Sequence, residues 1–100
     1  MDVFFALSDP TRRQMVRQMA DGPVTATELS RQLPISRQAI SKHLAALDQA
    51  GLVKRQVEGR EVRYTLNADG LENVTSWVSE VGHAWDERLA RLKKVSSRKS

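Results

Sequence analysis

Ser36-Arg37-Gln38-Ala39-Ile40-Ser41-Lys42-His43-Leu44-Ala45-Ala46-Leu47-Asp48-Gln49 is the stretch that decides the fold. Ile40, Leu44 and Leu47 recur at i, i+4 and i+7, which predicts a helix with one narrow apolar stripe. Gln38, Lys42, Arg37 and Ser41 stand off that stripe, near the helix start. A short helix packed by one face, with basic and small polar groups on the other at its N-terminal end, has the form that major-groove reading requires.

The segments on either side extend the pattern. Upstream, Thr25-Ala26-Thr27-Glu28 has the form of a capping box and opens a short helix with Leu29 and Leu33 on one side. Leu33-Pro34-Ile35-Ser36 breaks that helix: Pro34 disfavours helical geometry at Leu33, and Ser36 can cap the next helix. Helix, four-residue turn, helix is the helix-turn-helix layout. Downstream, Ala50-Gly51 supplies a glycine suited to a left-handed C-terminal cap. Leu52–Val57 and Glu61–Leu66 then read as strands joined across Glu58-Gly59-Arg60. A hairpin directly after such a helix is a wing. Its Lys54, Arg55, Arg60 and Arg63 can lie against a phosphate backbone.

Charge follows the same division. The chain of 100 residues carries a net charge of +4, and residues 31–63 alone hold seven basic and three acidic residues. The excess therefore sits on the expected helix and wing. An ordinary solvated surface is the bland alternative for such a patch. Within it, Gln38 and Ser41 are the candidates for base edges, and Lys42 suits base or phosphate. Ser36, Arg37, His43, Arg60 and Arg63 are assigned to the DNA backbone.

Two further helices complete a mainly α architecture with a small β-hairpin. Asp9-Pro10 reads as an N-cap and first helical residue, opening a helix whose Met15, Val16 and Met19 fill the core. The last helix is expected from about Leu71 to Lys93. Leu71, Val74, Val78, Val81, Trp85, Leu89 and Leu92 form a stripe along about 30 Å of it, and Trp77 widens the stripe. One small domain cannot cover all of that length. Dimerisation through Val3, Phe4, Leu7, Val74, Trp77, Val78, Val81, Trp85 and Leu89 is the economical expectation; the alternative is that the stripe folds back on its own domain. One domain is expected over residues 1–95, with 96–100 a basic, disordered, serine-rich tail.

Several function classes fall away. With no cysteine, the chain has no disulfide, thiolate metal site or cysteine nucleophile, in keeping with a cytoplasmic setting. The two histidines lie on different predicted elements, and there is no glycine-rich phosphate loop, so an enzyme is not expected. Apolar runs are too short to span a bilayer. The remaining competitors are a winged helix that binds an acidic protein partner, and nonspecific RNA binding, disfavoured by the lack of stacking aromatics.

Leu7-Ser8-Asp9-Pro10-Thr11-Arg12-Arg13, Thr27-Glu28-Leu29, Ser41-Lys42-His43-Leu44, Ala50-Gly51-Leu52-Val53 and Gly59-Arg60 before Tyr64-Thr65-Leu66-Asn67 together resemble the ArsR/SmtB family of bacterial winged-helix repressors. The resemblance covers about residues 3 to 93. It implies a homodimeric, effector-controlled repressor that binds an operator in double-stranded DNA, an inverted repeat. Trp77 and Trp85-Asp86-Glu87-Arg88-Leu89 look like the branch without metal-binding cysteines. A second family metal site, built from carboxylates and histidines on the last helix, would fall on Glu72, His83 and Asp86, with Glu87 nearby. The acid expected two residues before Glu72 is replaced by Gly70, so no metal or other cofactor is expected; a metal sensor using this last-helix carboxylate and histidine site is the alternative.

Overall fold

Caps and breakers set the element boundaries. The computed structural model describes the backbone of residues 2–99 and the side chains of residues 2–93. In chain order it has α1 (Val3–Ala6), α2 (Pro10–Met19), β1 (Val24–Thr25), α3 (Ala26–Gln32), α4 (Arg37–Gln49), β2 (Val53–Glu58), β3 (Glu61–Leu66) and α5 (Ala68–Lys99). The Asp9 carboxylate accepts from the backbone N–H of Thr11 and Arg12, and Pro10 occupies the first turn of α2, as the sequence requires. Thr25 Oγ1 accepts from Glu28 N at 3.1 Å to open α3. Ser36 Oγ accepts from Ala39 N at 3.1 Å to open α4. Each bond satisfies a donor that the first helical turn leaves free.

The end of α4 is a Schellman motif. Gly51 has φ +78°, its N–H donates to Asp48 O, and Leu52 N–H donates to Leu47 O at 3.0 Å. This turn drives Leu52 into the core, where it is fully buried with Leu47. The core is otherwise aliphatic: Met15, Leu29, Ile40 and Leu44 are its largest buried side chains, so the stripe of α4 packs as predicted.

The sheet is larger than expected. β2 and β3 form the predicted antiparallel hairpin, with Val53 opposite Leu66 and Glu58 opposite Glu61. Only Gly59 and Arg60 connect them. Gly59 has φ +60° while Arg60 does not have a positive φ, the pattern of a type II′ turn. β1 adds a third strand on the other side of β3, pairing Val24 with Tyr64 and Thr25 with Arg63. Two residues are too short to give an alternation signal. β1 ties the wing to the start of α3.

α5 begins on the turn that ends α4. Asn67 donates from Nδ2 to Gly51 O at 2.9 Å and from its backbone N–H to Leu52 O at 2.8 Å. Gly70 then lies so close that a Cβ would collide with the Gly51 carbonyl oxygen and stand 2.9 Å from its carbon. From there α5 leaves the core and runs to Lys99, past the expected end at Lys93, giving the molecule its 66 × 27 × 24 Å extent. The expected tail over 96–100 has its side chains outside the described residues, and Ser100 lies outside them entirely.

Candidate nucleic-acid interface

Gln38, Ser41 and Lys42 are exposed on α4 and, with Arg37, line one shallow groove on the side away from the core. The helix period explains this: the positions two before, one after and two after Ile40 point away from the buried Ile40, Leu44 and Leu47. Arg37 is held in place by a bond from Nη2 to Thr27 Oγ1 of α3 at 2.7 Å. Ser36 remains exposed while capping.

His43 stands apart from this group. It is half-buried, and its Nδ1 lies 3.5 Å from Arg12 Nη1 on α2. Arg12 in turn donates from Nε to Ala6 O at 2.6 Å and from Nη2 to Phe5 O at 3.4 Å. Arg13 donates to Leu7 O at 2.7 Å. Two guanidinium groups thus satisfy carbonyls at the end of α1, where cations are favoured. His43 belongs with this clamp, which faces α1 and not the groove. The same cluster lowers the pKa of Asp9: the Arg12 backbone N–H is the largest influence, partial desolvation opposes it, and the Thr11 N–H and the charges of His43 and Arg12 add to it.

On the wing, Arg60 is exposed at the turn. Arg63 is engaged within the hairpin: Nη2 lies 3.2 Å from Glu61 and Nε 3.8 Å from Glu58. Arg55, one of the four wing cations expected to reach a phosphate backbone, faces α4. It stands opposite Tyr64, two residues from the buried Val53, and lines a cleft with Ser41, Leu44, Ala45 and Asp48. Strand alternation was the signal that could have singled it out.

The second surface is apolar. Phe4 and Trp77 make an edge-to-face pair, with centroids 5.2 Å apart at 61°, joining α1 to α5. Phe4, Phe5, Trp77, Val78, Trp85, Leu89 and Leu92 are all exposed. Arg88 lies over the Trp85 ring at 5.7 Å. Of the residues expected at a dimer surface, Val3 is buried within the subunit, and Leu7 and Val74 pack against its core while remaining partly exposed. Val81 is half-buried. The stripe therefore divides. Its first turns fold back on the domain, and the rest, with Phe4, is left uncovered. Phe5, next to Phe4 on α1, is exposed as well.

His83 Nε2 lies 3.7 Å from Glu87 on the solvated side of α5. Among the described residues, no three His, Asp or Glu side chains converge in a metal-binding group. The collision at Gly70 excludes an acidic side chain there while α5 starts on the Gly51 turn. No helix among the described residues is long and apolar enough to cross a membrane.

Comparison with known proteins places this geometry. The helix-turn-helix domain family matches residues 7–56. The transcriptional repressor SdpR of Bacillus subtilis is 35% identical over 77 residues, covering 77% of this chain and 86% of that protein. An ArsR-like transcriptional regulator from Rhodococcus sp. RHA1 has a solved structure that superposes with a TM-score of 0.74 at 41% identity, covering 93% of this chain and 88% of the other. The homodimeric winged helix-turn-helix DNA-binding domain of Mb0332 from Mycobacterium bovis shares the fold, with a TM-score of 0.67 at 23% identity, over 81% of this chain and 75% of that one.

Proposed function

The chain belongs to the ArsR/SmtB family of winged helix-turn-helix transcriptional regulators, and from that premise we propose that it is a homodimeric repressor of an inverted-repeat operator. Each subunit would set α4 in one major groove, with the half-sites about one helical turn or slightly more apart. Gln38 and Ser41 meet base edges, Lys42 a base or phosphate, and Ser36, Arg37 and Arg60 the backbone. The observation that carries this reading is the groove of Arg37, Gln38, Ser41 and Lys42 opposite the buried stripe of α4. Repression would follow from occupancy of the operator, as the name of SdpR suggests for that relative.

Dimerisation is supported by the uncovered apolar face of α1 and α5 and by the homodimeric state of Mb0332. A duplex selected from a random-sequence pool, compared with its scrambled form in a shift assay, tests the reading. The selected duplex should bind at least about 10³-fold more tightly. Equal binding to both would favour a protein-interaction module over a repressor.

A further inference from the structure

We propose that Arg55, and not Arg63, is the wing cation that seats α4 on the duplex by holding a backbone phosphate. The proposal rests on the DNA-binding reading above and assigns it a residue.

The two arginines sit on opposite faces of the hairpin. Directly opposed pairs share a face, and the face alternates along each strand. Val53, Arg55 and Val57 therefore project with Leu66, Tyr64 and Val62, toward the side that packs on α4. Arg63 projects with Gln56 and Thr25, on the other side. Burial agrees: Val53 is fully enclosed and Leu66 packs against the core.

Electrostatics separates them further. Arg63 is bracketed by Glu58 and Glu61, so the three groups together carry a net negative charge. A phosphate approaching Arg63 must also approach two carboxylates. Arg55 makes no hydrogen bond or ion pair among the described residues, and its side chain is exposed. It lines a cleft of about 250 Å³ between wing and α4, with Ser41 and Asp48 along the helix side. Those two lie about 10 Å apart along the helix axis. Ser41 also lines the groove of Arg37, Gln38 and Lys42, so the cleft opens onto the base-reading face at that end. Asp48 repels an anion from the other end. A phosphate flanking the groove thus meets the Arg55 guanidinium at the Ser41 end of the cleft, where a charge-assisted hydrogen bond can hold it.

The test is the salt dependence of binding to a mixed-sequence duplex, which needs no operator. Arg55→Ala, Arg55→Lys and Arg63→Ala are compared with the wild-type dimer, with melting curves to establish that each is folded. Losing one phosphate contact per subunit should lower the slope of log affinity against log salt by about one unit for each contact. Arg55→Ala should show that loss, with about tenfold weaker binding at moderate salt; Arg55→Lys should restore most of the slope, because a lysine still neutralises a phosphate. Arg63→Ala should leave the slope near wild type. A slope unchanged in Arg55→Ala, or lowered as much in Arg63→Ala, overturns the assignment while leaving the DNA-binding reading intact. Failure of the wild type to bind any duplex would instead refute the reading on which it rests.

Discussion

Gln38 is exposed on the first turn of α4, and its side chain packs against nothing in the core. Gln38→Ala should therefore leave the fold unchanged. It should cost about 1–3 kcal/mol in operator binding and less on scrambled DNA, read as the ratio of the two affinities. An unchanged ratio would remove Gln38 from the base-reading set. Asp9 works in the opposite sense, on the fold and not on the ligand. Its carboxylate is held below the ordinary carboxylate pKa, chiefly by the Arg12 backbone N–H. A lowered folded pKa stabilises above the unfolded value and loses that contribution as pH falls through the folded one. Asn also caps helices but carries no charge. The stability gap between wild type and Asp9→Asn should be constant above about pH 5 and shrink on further acidification. A gap independent of pH across the same urea titrations would contradict the cap's electrostatic role. At this scale the sequence is unevenly legible. Asp9, Thr25, Ser36 and Gly51 act through the adjacent backbone, so each could be read from its neighbours. Arg12, His43 and Arg55 act across long separations along the chain, and only the packed fold determines what their side chains meet.

The junction between α4 and α5 is the element on which positioning depends. The Schellman turn at Gly51, the two bonds from Asn67 and the close approach of Gly70 fix the start of α5 against the end of α4. Gly70→Ala sets two effects against each other. Alanine favours a helix by about 1 kcal/mol over glycine. Overpacking typically costs about 1–3 kcal/mol, and here the obstruction is backbone, which cannot swing aside as a side chain can. The clash should win, lowering the melting temperature and weakening operator binding together. An unchanged melting temperature would show that the junction yields. The sequence showed Gly70 only as a missing acid in a metal-site pattern, because close approach between two helices leaves no local signature. β1 escaped notice for a related reason: its two residues pair only once the hairpin is in place. The wing itself was legible, since alternation and Gly59 are both local.

For the whole molecule, the long stripe of α5 was legible as a surface, but its division was not. Periodicity locates the apolar side of a helix without saying where along its length the domain ends. Val78 lies just beyond that point and is 54% exposed in the subunit, so a charge there leaves the subunit core untouched. Val78→Glu should give a folded monomer, because a carboxylate in an apolar seam is costly to desolvate on both sides of a symmetric interface. Sedimentation at micromolar concentration should show a dimer for wild type and a monomer for Val78→Glu, with operator binding lost alongside. A variant that stays dimeric would place the interface elsewhere. The central claim, that two copies present paired α4 helices to one duplex, is tested most directly by footprinting the wild-type complex on its selected DNA. The account predicts two protected major-groove patches on one face of the duplex, related by an inverted repeat and centred about one helical turn or slightly more apart. A single protected patch, or even protection with no repeat, would contradict it.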